Sequence, residues 1–245
     1  MQIPNSDIEL SIVILCYRSE ESIIPFAQRT KELASQLSDR FEIVLVGNYW
    51  EGSGDRTKEV VEHIALEDKV FRAICKPKEG MMGWDMRKGL EDARGQYICV
   101  IDGDGQFPIE SIAQCYHKIK EGGLGLVKTY REQRNDGFYR RTISGVYNFL
   151  FTILFSNLRS KDVNSKPKIM TREAYERLDL RSDDWFIDAE IMIQVGRHRI
   201  PFYEFPVVFK ELEGRQSFVR VGAIFEFMKN LISYRLREYR KQSPR

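Results

Sequence analysis

Three uninterrupted runs of apolar, β-branched residues constrain the fold of this chain most strongly. They cover residues 10–16 (LSIVILC), 41–46 (FEIVLV) and 97–101 (YICVI). A strand without polar alternation is covered on both faces, as in a parallel sheet between two layers of helices. Helical segments over 20–37, 57–66 and 82–93 and a weaker strand over 70–75 fall between the runs, and this alternation predicts an α/β fold.

The second half of the chain is less regular. We expect helices near 139–158, 171–178 and 186–197, a strand over 203–209, and an amphipathic helix that starts near residue 222. A length of 245 residues suits one large domain or two small ones, with a core that needs no disulfides.

The charge of the chain is nearly balanced, with 38 basic and 36 acidic residues, so bulk charge does not favour a nucleic-acid binder. The charge is uneven, because residues 229–245 hold six basic residues and one acidic residue. Such a segment is typical of contact with an anionic surface such as a membrane, and also of a solvated helix end.

The four cysteines have no zinc-ligand spacing and are expected to be buried, reduced thiols of a cytosolic protein, at Cys16, Cys75, Cys99 and Cys115. No segment reads as a signal peptide, and no window reaches the ~20 apolar residues of a spanning helix. We therefore expect a soluble or peripheral protein.

Two carboxylates follow the third apolar run directly. Asp102 and Asp104 lie among Gly103 and Gly105, just before Pro108 at the start of a predicted helix over 109–120. Ligands of α/β sheets bind at the carboxyl ends of strands, and two carboxylates there repel each other unless a cation lies between them. The pattern therefore favours Mg²⁺ or Mn²⁺ shared with substrate phosphates. An Asp-Gly turn before a helix is the structural alternative.

Several other site classes lack their motifs. The chain has no Gly-x-Gly-x-x-Gly, no P-loop, no His-Glu-x-x-His and no Gly-x-Ser-x-Gly. Readings as a dinucleotide oxidoreductase, a P-loop enzyme, a zinc protease or a serine hydrolase therefore lose their main support.

A set of first-half motifs carries a resemblance to a known family. The residues that match are Tyr17 with Glu20 after the first strand, Asp55 with Thr57 after the second, the glycine-containing segment 80–90, and the segment 93–97 that leads into Asp102 and Asp104. They resemble family 2 glycosyltransferases, within them the dolichyl- or polyprenyl-phosphate sugar synthase-like branch. The chain departs from the pattern where Gly47-Asn48 replaces a pair of aspartates that helps to hold the nucleotide.

The second half resembles the same family more loosely, so that the resemblance covers roughly residues 10–220. Residues 162–169 (DVNSKPKI) are similar to an Asp-x-x-Ser-Gly-Phe-Lys pattern but lack its glycine, and residues 185–191 (WFIDAEI) are similar to an aromatic-x-x-Asp/Glu-x-Glu pattern. Residues 203–207 (YEFPV) and 214–217 (GRQS) match further short motifs.

The resemblance implies a glycosyltransferase A-type, Rossmann-like fold, with a mainly parallel sheet flanked by helices and with C-terminal amphipathic helices. It implies a catalytic domain over 1–220, with a nucleotide-sugar half (1–130) and an acceptor half (131–220), followed by a basic amphipathic helix over 221–245. The implied reaction is a metal-dependent, inverting transfer of a sugar from a UDP- or GDP-sugar to an acceptor, with a polyprenyl or dolichyl phosphate favoured. A family 2 transferase that builds a cell-surface polysaccharide or lipopolysaccharide on another acceptor, and a non-catalytic nucleotide-sugar-binding relic, stay open as alternatives.

The resemblance also implies site residues. Asp102 and Asp104 are the expected metal ligands and, with Asp188, the expected catalytic residues; Glu190 is the other candidate base, and the two should not share a helix face. Donor binding is expected at Tyr17, Glu20, Asn48, Asp55, Gly80, Arg87 and Gln106. The acceptor phosphate is expected at Arg131 and Arg134, with Arg140 and Arg141 as second choices, although a solvated basic segment is their structural alternative.

One apolar segment suggests a membrane-facing side. Residues 146–158 (VYNFLFTILFSNL) are rich in aromatic side chains and have basic residues at both ends. They predict either an interfacial helix or a helix packed in the core. With the basic C-terminal segment, the first reading predicts a peripheral protein on the cytoplasmic face of a membrane.

Overall fold

The computed structural model describes residues 7–133 and 160–209, together with residues 229 and 234. Its strands are β1 (Leu10–Leu15), β2 (Phe41–Val46), β3 (Phe71–Ile74), β4 (Tyr97–Asp102), β5 (Leu126–Gln133), β6 (Lys168–Thr171) and β7 (Phe202–Val208). Its α-helices are α1 (Ile23–Leu37), α2 (Thr57–Glu67), α3 (Met82–Asp92), α4 (Glu110–Lys120), α5 (Arg172–Glu176) and α6 (Ile187–Arg197), and a short 3-10 helix (Glu20–Ser22) precedes α1.

The seven strands form one sheet in the order β3-β2-β1-β4-β6-β5-β7. Strand β1 pairs in parallel with β2 and β4, and β2 pairs in parallel with β3. Strand β6 runs antiparallel between β4 and β5, and β7 lies parallel to β5 at the edge. The mainly parallel α/β sheet expected from the sequence is therefore confirmed.

Both faces of the sheet are covered. Alternate residues of β1 face opposite sides, with Val13 in a core that includes α3 and α6, and Ile12 in a core that includes α1, α2 and α4. This two-sided burial explains the unbroken apolar runs, because each face of a central strand meets a layer of helices. All four cysteines are free thiols. Cys16, Cys99 and Cys115 are buried as expected, whereas Cys75 is only half-buried.

Helix α3 lies unusually close to the sheet. A β-carbon on Gly89 would lie 2.4 Å from Val13 Cγ1 and 2.9 Å from Val46 Cγ2, so a glycine is needed where the helix crosses β1 and β2. This close approach brings α3 into direct contact with β1 and β2.

Two strands were not expected from the sequence. Strands β5 and β6 carry the buried lysines Lys128 and Lys168, which interrupt the apolar pattern that marks a central strand. The helices expected near 139–158 and from residue 222 lie outside the described residues. Within the part of the chain that the structure describes, no helix has the length and apolarity needed to cross a bilayer.

Candidate active site

The loops that follow β1, β2 and β4 meet at one edge of the sheet. The Cys16 amide donates to Val46 O (3.0 Å), and the Gly103 amide donates to Leu15 O (2.9 Å). The carboxyl ends of adjacent parallel strands are thus held together by backbone hydrogen bonds. This edge is where α/β sheets bind ligands.

Asp102 and Asp104 lie at the centre of this edge. Asp102 ends β4, and its side chain is 26% exposed. Asp104 Oδ1 accepts a hydrogen bond from the Gln106 amide (3.0 Å), and Gly105 adopts a φ of 73°, which lets the chain turn back toward α4. Gly103 is confined, because a β-carbon there would lie 2.6 Å from Ile23 Cδ1. The tight turn thereby keeps the two carboxylates beside the strand end.

A buried lysine joins Asp102 to Asp188. Lys166 Nζ lies 3.2 Å from Asp102 Oδ1 and 3.1 Å from Asp188 Oδ2, and its side chain is only 2% exposed. Lys168 Nζ pairs with the other oxygen of Asp188 and donates to Ser165 O (2.8 Å). Two lysines from one segment therefore hold the carboxylate that α6 presents to the site.

The charges of this cluster depend on one another. Burial by itself raises the pKa of Asp188, but Lys166 and Lys168 outweigh burial and hold that pKa below its ordinary value. Burial lowers the pKa of Lys168 to about 8, because Asp188 offsets only part of the cost and Lys128 and Lys166 add repulsion. Asp188 is therefore an ionised, doubly paired carboxylate, which makes it a weak proton acceptor.

The second candidate base, Glu190, points elsewhere. Glu190 Oε2 accepts hydrogen bonds from the backbone amides of Arg181 (3.0 Å) and Ser182 (2.8 Å). Glu190 and Asp188 thus have different partners, as their spacing on one helix predicts. Glu190 anchors the loop that precedes α6.

A second buried charge network lies beside β6. Lys128 Nζ contacts Asp162 O (2.6 Å) and Glu204 Oε2 (3.2 Å), and burial lowers the pKa of Lys128. Arg131 makes a two-point ion pair with Asp162, with Nε–Oδ2 and Nη2–Oδ1 distances of 2.6 and 3.0 Å. Arg131, the expected acceptor-phosphate ligand, thus has a carboxylate partner in the chain. Arg134, Arg140 and Arg141 lie outside the described residues.

The loop after β2, where Gly47-Asn48 replaces the two aspartates of the family pattern, forms a cluster of polar contacts with α3. Asn48 Nδ2 donates to Asp85 Oδ1 (2.9 Å), while Asn48 Oδ1 accepts from the Lys76 amide (2.9 Å). Asp85 also pairs with Lys78, whose ammonium lies 4.8 Å from the centre of the Tyr17 ring. Burial raises the pKa of Asp85, and Lys78 and Asn48 offset only part of that effect. A carboxylate from α3 thus lies beside the position where the family pattern has its aspartates on the β2 loop.

The remaining expected donor residues take part in local structure. Asp55 Oδ1 accepts from the Thr57 amide (3.0 Å) and hydroxyl (2.6 Å) at the start of α2, and Thr57 Oγ1 accepts from the Glu20 amide (3.0 Å). The side chain of Arg87 pairs with Asp183. A β-carbon on Gly80 would lie 2.8 Å from Asp183 O, so this glycine lets the loop before α6 approach α3.

The structure thus links Asp102 to Asp188 through Lys166, with Asp104 and Gln106 in the turn after Asp102. Tyr17 and Asn48 follow the ends of the neighbouring strands β1 and β2. Sequence reasoning missed the four basic and acidic residues that connect these groups, namely Lys78, Asp85, Lys166 and Lys168. One signal was available: Lys166 and Lys168 flank Pro167 two residues apart, and residues at that spacing in an extended segment share a face.

The donor set suits a divalent cation that is shared with a substrate. Within the described ranges, no three His, Cys, Asp or Glu side chains are grouped as a metal-binding cluster. Mg²⁺ and similar ions are commonly held by one or two carboxylates together with substrate phosphates. Asp102 and Asp104, both partly exposed at the strand end, fit that arrangement.

The mainly parallel sheet, with β6 antiparallel between β4 and β5, is the glycosyltransferase A-type fold expected from the sequence. The model of glycosyl transferase family 2 matches residues 11–179, and the chain therefore belongs to this family.

Curated relatives and solved structures agree with this assignment. The undecaprenyl-phosphate 4-deoxy-4-formamido-L-arabinose transferase of Proteus mirabilis is 30% identical over 59% of this chain and 43% of its own length. The protein of the same name from Pseudomonas syringae is 32% identical over 57% of this chain and 40% of its own length. The chain thus spans less than half the length of these relatives.

Among solved structures, glucosyl-3-phosphoglycerate synthase from Mycobacterium tuberculosis in complex with UDP superposes with a TM-score of 0.71. It is 16% identical and is matched over 93% of this chain and 80% of its own. The same enzyme with Mn²⁺, UDP and phosphoglyceric acid also gives a TM-score of 0.71, with 97% of this chain covered. At this identity the likeness supports the fold.

Proposed function

We propose that this protein transfers a sugar from a nucleotide-diphosphate sugar to a lipid phosphate, with a divalent cation bound at Asp102 and Asp104. The observation that carries the proposal is the position of these aspartates at the carboxyl ends of the parallel strands, next to Tyr17 and the Lys78–Asp85 pair. We propose that Tyr17 and the Lys78–Asp85 pair face the nucleoside of the donor, and that the cation at Asp102 and Asp104 contacts its diphosphate.

The structural neighbours support the donor half of this proposal. The mycobacterial synthase was crystallised with UDP-glucose and Mn²⁺ and with UDP and Mg²⁺. The bound cation would neutralise the charge that develops on the leaving diphosphate. We propose that Gln106 and the Asp104 turn orient the donor, and that the cluster of Tyr17, Lys78 and Asp85 lies on its nucleoside side.

The charge state of Asp188 supports a phosphate acceptor. An acceptor hydroxyl needs a base to remove its proton, whereas a phosphate is already anionic and can attack the sugar carbon directly. Asp188 is held ionised by two lysines and is poorly suited to accept a proton. The names of the curated relatives, which refer to undecaprenyl phosphate, point to the same acceptor class.

We propose that Lys166 and Arg131 supply positive charge to the phosphates of the donor and of the acceptor, respectively. Lys166 lies beside Asp102, and Arg131 lies on β5 with its guanidinium paired to Asp162. For Arg131 to bind an acceptor phosphate, the phosphate oxygens would replace or share those of Asp162, in the same two-point geometry. Arg134 is proposed as the second acceptor ligand from its sequence position alone.

We also propose that the protein acts as a peripheral protein on the cytoplasmic face of a membrane, with residues 146–158 and 229–245 as its contacts. The basis is the sequence pattern of these segments and the lipid acceptor of the relatives. In sedimentation with anionic liposomes, Phe151→Glu is expected to reduce binding. Unchanged binding would contradict the interfacial role of residues 146–158.

Calorimetry with UDP and with GDP, each with and without Mn²⁺, tests the donor site. We expect one nucleotide to bind with Mn²⁺ and Asp104→Ala to lose that metal-dependent binding while it keeps the circular dichroism spectrum of the wild type. The same variant should lose sugar transfer to undecaprenyl phosphate, by a factor of about 10² or more. If neither nucleotide binds the wild type in a metal-dependent way, the proposed reaction is wrong.

A further inference from the structure

Lys166 is a cation built into the proposed metal-binding edge of the site. Its ammonium lies 3.2 Å from Asp102 Oδ1, 3.3 Å from Asp102 Oδ2 and 3.5 Å from Met82 Sδ. The contact with both oxygens of Asp102 is important, because these are the oxygens that a divalent cation would need. Lys166 also stands where the Asp-x-x-Ser-Gly-Phe-Lys pattern, which residues 162–168 resemble, has a glycine.

The position of this ammonium is fixed from the buried side. Asp188, which is 2% exposed, accepts from Lys166 at 3.1 Å, and Asp188 is itself held by Lys168. Asp102 is the more exposed of the two carboxylates that Lys166 contacts. Lys166 therefore presents its charge from the interior toward the open side of the site.

Lys166 lies where a positive charge is favoured, because its ammonium stands between two carboxylates, 3.2 Å from Asp102 Oδ1 and 3.1 Å from Asp188 Oδ2. Asp102 thus already has a cation of the chain beside it.

We infer that Lys166 is a resident cation of the donor site, which competes with a divalent ion for Asp102 and supplies positive charge to the donor diphosphate. This inference rests on the proposed function. It follows from the geometry, because one ammonium within 3.3 Å of both Asp102 oxygens repels a second cation at the same carboxylate and attracts an anion placed beside it.

The inference predicts that removing the charge of Lys166 changes the affinities for Mn²⁺ and for UDP in opposite directions. Free Mn²⁺ should bind more tightly to a protein that lacks the Lys166 ammonium, since Asp102 is then available. UDP in the absence of metal should bind more weakly, since its diphosphate loses a cation. A residue that only supports the fold would weaken both.

The test uses Lys166→Met, which keeps the length of the side chain and removes its charge. Asp188 stays paired with Lys168 in this variant, so no buried carboxylate is left without a cation. Lys166→Arg keeps the charge at the same position. Lys118→Met removes a lysine that pairs with Glu121 on the surface of α4, and it serves as the control for net charge.

Mn²⁺ affinity without nucleotide is measured from the electron paramagnetic resonance signal of the free ion, and UDP affinity in EDTA is measured by calorimetry. For Lys166→Met we expect Mn²⁺ to bind about tenfold more tightly and UDP about tenfold more weakly than to the wild type. Lys166→Arg and Lys118→Met should stay within about twofold of the wild type for both ligands.

Three outcomes would overturn the inference. The first is a Lys166→Met protein in which both constants stay within about twofold of the wild type, and the second is one in which both ligands bind more weakly. In either case the proposed function stands as long as the wild type binds UDP with Mn²⁺. The third is a wild type that binds neither ligand even when both are present, which overturns the proposed function as well. If Lys166→Met does not fold by circular dichroism, Lys166→Gln is measured with the same expectations.

Discussion

The two ends of the strand order bury very different residues. We call strands β1, β2 and β4 the apolar side of the sheet, and strands β5–β7 with the segment before β6 the charged side. Strands β1, β2 and β4 carry mainly apolar side chains into the core. Strands β5 and β6 and the segment before β6 instead bury three lysines, Lys128, Lys166 and Lys168, which are among the largest fully buried side chains of the described residues. The first side is held by packing, whereas the second side depends on matched charges.

The strand register shows how this second side is organised. Lys168 of β6 lies opposite Lys128 of β5, and Lys128 lies opposite Glu204 of β7. Two lysines placed side by side repel each other, so each needs its own carboxylate: Glu204 for Lys128, and Asp188 of α6 for Lys168. A buried charge is tolerated only when it is paired, so the charged side of the sheet should be far less tolerant of single charge changes than the apolar side.

The largest expected effect comes from breaking one of these pairs. Asp188→Asn removes the only negative charge between Lys166 and Lys168 within the described cluster, and it leaves Lys168 without an ionic partner there. We expect the free energy of unfolding to fall by about 3–5 kcal/mol, as for other buried pairs that lose one member. Urea denaturation followed by circular dichroism measures the change.

The matched control is Asp183→Asn, in the loop before α6. Asp183 pairs with Arg87, but its side chain is 48% exposed, so its loss should cost less than about 1 kcal/mol. If Asp188→Asn costs no more than Asp183→Asn, charge pairing does not hold this side of the sheet together.

The difference between apolar and charged strands also explains which strands could be predicted from the sequence. The apolar runs over 10–16, 41–46 and 97–101 gave the parallel strands correctly, because a strand buried on both faces leaves a plain apolar signature. Strands β5 and β6 were missed, because Lys128 and Lys168 are polar by composition and become core residues only through partners far away in the chain.

The residues of the candidate site also divide into those that the sequence could predict and those that it could not. Asp102 and Asp104 could be located because they follow a recognisable strand directly. The link from Asp102 to Asp188 could not, because it runs through Lys166, 64 residues beyond Asp102 in the chain. The likeness of residues 162–168 to a known pattern drew attention to the matching residues and away from the lysine that departs from it.

A smaller effect is expected from overfilling the apolar side. In Gly89→Ala, the new methyl group would lie 2.4 Å from Val13 Cγ1, in a contact between α3 and two central strands. We expect a net loss of about 1–2 kcal/mol, because the overpacking outweighs the gain of about 1 kcal/mol in helix propensity. Thermal and urea unfolding should both show it. Glu91→Ala, at an exposed position of the same helix, should change stability by less than about 0.5 kcal/mol, and a Gly89→Ala protein as stable as that control would contradict the close packing.

The smallest effect is a pH dependence confined to the charged side. Lys168 faces Asp188 from α6, Lys128 from β5 and Lys166 from its own segment, and its pKa is lowered to about 8 from an ordinary value of 10.5. Between these two pH values the folded protein has released this proton while the unfolded chain still holds it, so Lys168 makes the free energy of unfolding rise with pH in that window. Below pH 8 both states hold the proton, and the burial of the charge costs stability in full.

The comparison of the wild type with Lys168→Met isolates this contribution, since the other titrating groups are common to both proteins. From pH 7.5 to pH 9 we expect the stability of the wild type, relative to the variant, to increase by roughly 1 kcal/mol in urea denaturation. Lys118→Met, at the surface of α4, should show no such change relative to the wild type in the same window. A difference between wild type and Lys168→Met that stays flat from pH 7.5 to pH 9 would mean that Asp188 fully offsets the cost of burying the Lys168 charge, and that repulsion between Lys128 of β5 and Lys168 of β6 has no measurable effect.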